Sequence, residues 1–269
     1  MDKQTTRRKF IKNMALGTAT LYTSPLFSTP KEFIRSGKTA TNANSMIQIA
    51  LLVIMTGCSS IHSGSQTERY SLSLQERIKG YEILFDGTDM SHWTSNTNEY
   101  IVEDGCIVMR PAGGHGNLYS KKEYDDFILR FEFLLTPEAN SGLGLRHKIV
   151  TTERGYDGME LQILDNEAPV YANLKPYQYH GSLYGWVPAK RGFLKPAGEW
   201  NYQEVIAQGS HIRILLNGTI ILDTDIEEVL KDVAEDKIPK TLLYKKGHIA
   251  FLGHNTVLKF RNIRVKELE

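Results

Sequence analysis

The chain has 269 residues, of which 41% are hydrophobic and 23% are charged. Its 32 lysines and arginines balance 31 aspartates and glutamates, so the formal net charge is +1. This balance excludes the strongly basic surface of a nucleic-acid-binding protein, and two cysteines are too few for a disulfide scaffold or a cysteine zinc cluster.

The beginning of the chain, 1–57, is typical of an export signal region. Residues 5–22 place paired arginines before a mildly apolar run, as twin-arginine signals do. Residues 46–57 form a second apolar run, too short to span a bilayer, that ends before Cys58 like a lipoprotein signal with an acylated cysteine. Alternatively, Met46 is the first residue of the protein, but the lipoprotein-like signal would then lack the basic segment that normally precedes its apolar run. Both interpretations predict an exported protein of the periplasm or outer membrane that contacts the membrane only through lipid on Cys58.

The rest of the chain divides into a serine-rich tether, 58–80, and one domain, 81–269. Asp104-Gly105 separates two β-rich runs, which is typical of a hairpin. Residues 126–135 alternate apolar side chains with a period of two, as a strand with one buried face does. Further strands are predicted over 141–150, 159–165, 204–224, 248–254 and 256–268, and one short helix over 225–236. About ten short strands with regular turns predict an all-β fold, an antiparallel β-sandwich or jelly roll.

Residues 165–203 form a long segment without clear periodicity, rich in proline, glycine and aromatic residues. Such long loops are usually functional, so we expect this one to cover one face of the sandwich and to carry binding groups. Its aromatic rings suit the apolar faces of sugars, and the alternative is that about half of them form a satellite core. The aromatic candidates are Tyr177, Tyr179, Tyr184, Trp186 and Trp200.

The stretch from Met159 to Asp165, "MELQILD", poses the main question of function. Its apolar residues alternate with Glu160 and Gln162, so a strand would place the carboxylate and the amide on one face. That face is either solvated or the floor of a binding cleft. Cys106 lies in a predicted strand and is expected to be an inert apolar residue.

Seven motifs occur in an order that resembles the 3-keto-disaccharide hydrolase family, and the resemblance covers 81–269. They are "LFDGTDMSHWT" (84–94), "YDDFILRFEF" (124–133), "NSGLGLR" (140–146), "GMELQILDN" (158–166), "YHGSLYG" (179–185), "KPAGEWN" (195–201) and "GHIAFLGHNTVLKFRNIRVKEL" (247–268). The resemblance implies a concanavalin A-like, laminarinase-type jelly roll, cleavage of glycosides oxidised at C3, and a functional link to an oxidoreductase that makes the keto sugar. One motif departs: the family's Gln-Asp-His-Gly is Leu252-Gly253-His254-Asn255 here, so any role of that acid, a metal site included, is not carried over.

Laminarinase-type enzymes carry a Glu-x-Asp-x-x-Glu pattern. This chain resembles it with Glu160, Gln162 and Asp165 at the three matching positions. A regular strand directs positions 160 and 165 to opposite faces, so a β-bulge would be needed to bring both carboxylates to the cleft. With the bulge, a conventional two-carboxylate glycosidase is one alternative. A non-catalytic carbohydrate-binding module on the same fold is the other.

A 3-keto sugar offers an easier route, because the ketone acidifies the hydrogen on C2 and the C1 oxygen then leaves by β-elimination, followed by hydration. This route needs a base, an enolate stabiliser and an acid. We expect His180 or Glu160 as the base and Arg146 or a bound divalent cation as the stabiliser.

Substrate binding is assigned to Gln162, Tyr184, Trp186, Trp200 and His254. Two alternatives concern the basic residues. Arg146 could instead pair with a carboxylate, and a regular strand would allow only one of Arg146 and His147 to face the cleft. A divalent cation is not indicated by spacing, because the sequence has no His-x-His or His-Glu-x-x-His pattern.

Overall fold

Two antiparallel β-sheets, stacked face to face, contain the thirteen strands of this computed structural model, which describes residues 69–111, 115–151 and 155–269. The predicted all-β sandwich is therefore confirmed, with thirteen strands instead of about ten. The twin-arginine-like segment, the lipoprotein-like segment and Cys58 lie outside the described residues.

The larger sheet has eight strands, and every neighbouring pair is antiparallel. Its order is β11-β10-β9-β6-β13-β4-β3, and β1 also pairs with β13. The strands are β1 (Glu82–Phe85), β3 (Tyr100–Glu103), β4 (Cys106–Met109), β6 (Phe127–Leu135), β9 (Trp200–Gln208), β10 (His211–Leu216), β11 (Thr219–Asp225) and β13 (Leu258–Glu267).

The smaller sheet has five antiparallel strands in the order β2-β5-β12-β7-β8. Strand β8 therefore lies at one edge, and β7 separates it from β12. The strands are β2 (Trp93–Ser95), β5 (Asn117–Tyr124), β7 (Asn140–His147), β8 (Met159–Leu164) and β12 (Gly247–Leu252).

Aromatic side chains fill the space between the sheets. Phe251 of the smaller sheet stacks on Phe260 of the larger one with ring centroids 3.9 Å apart, and Phe131 meets Phe251 edge-to-face at 5.6 Å. All three rings are fully buried. Strand β6 alternates buried and half-buried residues along its whole length, as the sequence predicts. Burial of these rings contributes to the hydrophobic stabilisation of the sandwich core.

Two short α-helices accompany the sheets in the described residues. Helix α2 (Ile226–Leu230) begins at Asp225, whose carboxylate accepts hydrogen bonds from two backbone amides of the first turn. It occupies the first part of the predicted helix 225–236, and a 3₁₀ turn follows at Glu235–Lys237. In the described part of the chain, no helix is both long and apolar enough to cross a membrane.

Helix α1 (Leu74–Ile78) lies in the segment that the sequence presents as a tether. Ser73 and Glu76 form a reciprocal capping box at its start. The Glu76 carboxylate also pairs with Arg264 of β13, at 2.5 Å, and with Arg130 of β6, at 3.6 Å. Ordered structure therefore begins before residue 81 and is bound to the outer face of the larger sheet.

Cys106 is buried in β4, and burial raises the pKa of its thiol. A thiol held in its protonated form is a poor nucleophile. These observations agree with the expectation of an inert apolar residue.

Candidate functional site

Strand β8 holds Glu160 and Gln162 on the face of the smaller sheet that points away from the larger sheet. Leu161 and Ile163 point the other way, into the main core. The pairing with β7 is regular and places Glu160 opposite Gly144 and Gln162 opposite Gly142. We call this outer surface of the five-stranded sheet the Glu160 face. The predicted alternation of "MELQILD" is thus present, but all six strand residues are buried, so the Glu160 face is not a freely solvated surface.

The β-bulge that would bring Asp165 to the Glu160 face is not found, because the β7–β8 register runs without a shift from Met159 to Leu164. The Asp165 carboxylate instead accepts a backbone hydrogen bond from Glu138 at 3.0 Å and one from Glu167 at 3.4 Å. Asp165 therefore fastens the turn after β8. The structure does not bring it together with Glu160 as a second carboxylate.

The long segment 165–203 covers the free edge of β8. Gln162 donates its backbone amide to Ser182 and accepts one from Gly181, and Tyr184 donates to the carbonyl of Glu160. Leu183 forms an isolated bridge with Leu161. The segment thus acts as an additional edge strand, which satisfies backbone groups that would otherwise be exposed, and the register places Tyr184 beside Glu160.

Glu160 lies next to His254 on the Glu160 face. The Glu160 side chain is fully buried, and its Oε1 atom lies 3.5 Å from Nε2 of His254. The His254 side chain retains 12% exposure and lies on the solvent side of the carboxylate. A buried carboxylate beside an imidazole is an arrangement that can transfer protons.

The loop before β5 supplies a second histidine. Gly253 donates its backbone amide to the Gly116 carbonyl at 2.9 Å, and the rings of His115 and His254 are 6.2 Å apart in an edge-to-face arrangement. A Cβ atom at position 253 would come within 2.2 Å of the Gly116 oxygen. The glycine that replaces the family's acidic residue here therefore leaves room for the loop that holds His115.

The amide side chains of Gln162 and Asn140 follow Glu160 along the Glu160 face in the candidate site. The Gln162 Nε2 atom donates to Asn140 Oδ1 at 3.2 Å. Two hydrogen bonds with Thr256 fix Asn140: its backbone amide donates to the Thr256 hydroxyl oxygen, and the Thr256 hydroxyl donates to the Asn140 carbonyl. Gln162, predicted to bind substrate, thus lies next to Glu160 on the same face and is oriented by a neighbour.

His147 also reaches this side of the sheet, because β7 is irregular near its end. Arg146 has a φ of 53°, and the pairing with β12 shifts between His248 and Ala250. This bulge lays the His147 ring against Gly144 and Gly158. His147 is fully buried, and its Nε2 atom lies 2.9 Å from the carbonyl oxygen of Met159, so it packs beside the strand that carries Glu160.

Arg146, expected to stabilise an enolate, is bound elsewhere. Its guanidinium pairs with Asp126 at 3.0 Å and donates to the carbonyls of Asp125, Gly209 and Tyr244. Burial lowers the pKa of the guanidinium, while the charges of Asp126 and Asp125 oppose this shift. The observed contacts join three loops at one end of the sandwich, which is the structural alternative that the sequence left open.

His180, the other expected base, is in the interior. Its ring stacks on Phe133 with centroids 5.2 Å apart. Its Nδ1 atom accepts from the Leu164 amide at 3.4 Å, and Nε2 lies 3.1 Å from Gln203 Oε1. Burial lowers the pKa of His180 to about 4. These contacts hold a neutral imidazole in a structural position, and it is not brought together with Glu160.

The five aromatic candidates separate into different environments. Tyr179 belongs to a satellite core with Leu164, Ala168 and Tyr171, and Trp186 packs against the main core. Trp200 lies on the larger sheet and stacks on Arg261 at 3.8 Å. Tyr177 lies 5.8 Å from the Lys175 ammonium. Tyr184, whose hydroxyl accepts from Gln178, is the aromatic candidate that the register places beside Glu160.

A divalent cation was expected as an alternative enolate stabiliser. Within residues 69–111, 115–151 and 155–269, no group of three or more histidine, cysteine, aspartate or glutamate side chains is arranged to hold a metal ion. The described donors around Glu160 therefore do not fit a resident protein-bound metal, and no catalytic step below is assigned to one.

Comparison with known proteins identifies the family. Residues 80–266 match the family described as the 3-keto-alpha-glucoside-1,2-lyase-like domain. The chain belongs to this family. A relative from Bacteroides thetaiotaomicron named 3-keto-disaccharide hydrolase is 29% identical over 242 residues, which cover 75% of this chain and 83% of the relative.

Two solved structures of candidate glycosyl hydrolases from Parabacteroides distasonis share the fold of this family member. One aligns with a TM-score of 0.65 at 21% identity and covers 75% of this chain and all of the other. The second aligns with a TM-score of 0.61 at 25% identity and covers 70% and 99%. Family and relative together support a glycoside hydrolase-type function on carbohydrates.

Proposed function

We propose that this protein cleaves the glycosidic bond of glycosides oxidised at C3, 3-keto disaccharides included, and that Glu160 removes the proton from C2. The observation that carries the proposal is the pairing of Glu160 with His254, 3.5 Å apart, on a face from which Asp165 is turned away. A carboxylate paired with a histidine suits proton abstraction, whereas a conventional glycosidase needs two carboxylates across the scissile bond. The family and the name of the relative support the same substrate class.

The reaction balances without an external oxidant or reductant. Glu160 takes the C2 proton, and the electrons of the C2–H bond form an enolate with the C3 ketone. The enolate then re-forms the ketone, a C1–C2 double bond appears, and the C1–O bond breaks with protonation of the leaving oxygen. Addition of water to C1, with return of a proton to C2, completes a net hydrolysis.

The neighbours of Glu160 have the chemistry that the other steps need. His254 adjoins the carboxylate and is exposed on the solvent side, so we assign it the protonation of the leaving oxygen. Gln162 lies two positions along β8 on the same face and would position the sugar by hydrogen bonding, with Tyr184 beside it. Buried amides that recognise hydroxyl groups discriminate strongly between substrates.

The burial of Glu160 has a consequence for binding. Because its side chain is fully buried, groups that cover it must move before C2 can meet the carboxylate. Exclusion of water from the same place would protect the enolate from premature protonation.

The cellular setting is part of the proposal. We propose that the protein is exported to the cell envelope and anchored through lipid on Cys58. A 3-keto glycoside arises by oxidation of a secondary alcohol, so a sugar 3-oxidoreductase would supply the substrate. A soluble divalent cation could assist the enolate when added with substrate, and a chelator measures this dependence directly.

The decisive experiment compares a glucoside with the same glucoside oxidised at C3, using the full-length protein with and without chelator. Release of the aglycone only from the keto form supports the proposal, and release from the parent glucoside overturns it in favour of the two-carboxylate enzyme. Glu160→Gln should abolish turnover, while Glu167→Gln, which removes an exposed carboxylate from the neighbouring turn, should retain it.

A substrate deuterated at C2 tests the mechanism separately. Proton abstraction predicts loss of the label to solvent during cleavage, together with a primary isotope effect where this step limits the rate. Full retention of deuterium in the cleaved sugar together with the absence of a primary isotope effect would exclude the elimination route, because a base shielded from water can return the same deuteron to C2. Saturable binding of the glycan without cleavage of either substrate would favour a carbohydrate-binding module.

A further inference from the structure

The Glu160 side chain lies across the backbone of Gly142 on the neighbouring strand. A Cβ atom built at position 142 would be 2.4 Å from Glu160 Oε1 and 2.9 Å from both Cγ and Cδ. These separations are far below van der Waals contact. The side chain therefore occupies the space that any other residue at position 142 would fill.

The register shows that this contact is diagonal. Glu160 is paired directly with Gly144, and Gly142 is paired with Gln162. The carboxylate thus leans along the strand direction, from the Glu160–Gly144 pair toward the next pair on the same face, Gln162–Gly142. Diagonal neighbours in an antiparallel pair are within reach of a long side chain, and the missing side chain at position 142 opens that direction.

Sheet order explains why the direction matters. Strand β7 lies between β8, which carries Glu160, and β12, after which His254 follows. For the Glu160 carboxylate to approach His254 to 3.5 Å, it must cross β7. Gly142, which pairs with Leu252 of β12 and with Gln162 of β8, is the β7 residue over which the carboxylate passes.

We infer that Gly142 is a positioning residue, which holds the Glu160 carboxylate at His254 by leaving its path across β7 open. The inference rests on the proposed function for its catalytic consequence and on the observed contacts for its geometry. A methyl group at position 142 would push the carboxylate by about 1 Å, and displacements of that size can cost about 100-fold in rate.

A matched substitution is available two residues along the same strand and face. A Cβ atom at Gly144 would meet the His147 ring at 2.7 Å and Ala250 Cβ at 3.0 Å, and Glu160 is not among its three nearest neighbours. Gly144→Ala therefore introduces the same methyl group and the same loss of backbone freedom. It crowds a histidine that has no role in the proposed chemistry.

The test is a double-mutant cycle on the 3-keto glucoside with four proteins: the natural sequence, Gly142→Ala, Glu160→Asp and the double variant. Gly142→Ala should lower kcat by about 100-fold with little change in KM, because the base is displaced. Aspartate is one methylene shorter, so only its carboxyl group at the Cγ position, where Glu160 comes within 2.9 Å, still meets the added methyl group. Gly142→Ala should therefore lower kcat by a smaller factor in the Glu160→Asp background than in the natural protein. Equal losses in both backgrounds would overturn the inference.

Gly144→Ala sets the scale for crowding alone. It should lower the melting temperature but keep kcat within about threefold of the natural protein. If Gly144→Ala lowers kcat as much as Gly142→Ala does, the effect is general to the strand and the inference fails.

A readout that needs no turnover separates this inference from the proposed function. The ring resonances of His254 in a ¹H–¹⁵N spectrum report the nearby carboxylate. Gly142→Ala should shift them toward their positions in Glu160→Gln. If the natural protein leaves the keto substrate intact while these resonances shift as expected, the proposed function fails and the positioning by Gly142 stands. Unchanged His254 resonances in folded Gly142→Ala would overturn the positioning even in an active enzyme.

Discussion

The carboxylate of Glu160 approaches the imidazole of His254 to 3.5 Å across an intervening strand. Neither residue belongs to β7, yet β7 decides whether they can meet, because Gly142 has no side chain in the path of the carboxylate. The chemistry of the Glu160 face therefore depends on the absence of a side chain on the intervening strand β7 as much as on the two ionisable groups.

Replacement of His254 should lower turnover less severely than replacement of Glu160. His254→Ala removes the group assigned to protonate the leaving oxygen, and general acid catalysis contributes about 100-fold or more. We expect kcat on the 3-keto glucoside to fall by about that factor. Substrates with a better leaving group, such as a nitrophenolate, should lose less, because they need less protonation.

The control for this prediction is His211→Ala on the larger sheet, where His211 pairs with Asp223. It should leave kcat for both substrates unchanged. An equal loss with good and poor leaving groups in His254→Ala would contradict the assigned role and would leave His254 as a residue that only orients Glu160.

Restoring a side chain at Gly253 should damage the site through the backbone. In Gly253→Ala the new Cβ atom would be 2.2 Å from the Gly116 carbonyl oxygen, and a carbonyl cannot turn aside as a side chain can. We expect a loss of about 1–3 kcal/mol in the free energy of unfolding, typical of overpacking, and separation of His115 from His254. Chemical denaturation measures the first, and cross-peaks between the two rings in a nuclear Overhauser spectrum measure the second. A Gly253→Ala protein with the stability of the natural protein and with the His115 and His254 rings still in contact would contradict this prediction.

The sequence predicts the strands of the sandwich well because local alternation and turn residues specify them. Glu160 and Gln162 share a face because β8 is regular, so the period of two suffices. The same rule correctly separates Asp165 from Glu160 when no bulge intervenes. Helix α1 is missed because five residues carry too little periodicity, although Ser73 and Glu76 show the capping-box pattern.

Other site residues depend on packing that local pattern does not encode. The sequence presents His180 as a candidate base, and only the tertiary fold places it on Phe133. The bulge at Arg146 reverses the face of His147, since one extra residue shifts the alternation. His115 meets His254 only because two distant glycines pair. The glycines of "NSGLGLR" are the one local signal for Gly142, because alternate glycines in a buried strand indicate close approach of other groups.

Burial of His180 predicts a pH dependence of stability. Its pKa falls to about 4 in the folded protein, from an ordinary value of 6.5, because burial disfavours the charged ring. The unfolded chain therefore binds the proton more readily. The contribution of the neutral His180 ring to the free energy of unfolding is complete above pH 6.5. It is lost as the pH falls toward 4, by up to roughly 3 kcal/mol. His180→Asn should be less stable at pH 7 but should lose less stability over this range, measured by urea unfolding at several pH values. An unchanged slope in His180→Asn would contradict the prediction.

Glu76 should stabilise the fold at neutral pH although it precedes residue 81. Burial raises the pKa of Glu76, but hydrogen bonds from Ser73 and Arg264 outweigh this and lower it to about 2. The contribution of the Glu76 carboxylate to the free energy of unfolding is therefore present above pH 4.5 and is lost as the pH falls toward 2. With solvent screening we expect roughly 1–2 kcal/mol at pH 7. Glu76→Gln should remove it, whereas Glu235→Gln, at an exposed position, should not. A Glu76→Gln protein with natural stability at pH 7 would show that helix α1 does not hold the sheet.

Arg146 separates a structural role from a catalytic one. Arg146→Ala would leave Asp126 and three backbone carbonyls without their buried cationic partner. Asp126 retains 26% exposure, but each carbonyl left without its donor costs about 1–3 kcal/mol, so we expect a large loss in the free energy of unfolding while kcat per folded molecule stays unchanged. Arg146→Lys restores the charge but not the several directed hydrogen bonds, so its stability should be intermediate. The enolate-stabilising role expected from sequence makes the opposite prediction, with natural stability and a kcat lower by several orders of magnitude. Denaturation curves and active-site-normalised rates on the 3-keto glucoside, measured on the same preparations, distinguish the two roles.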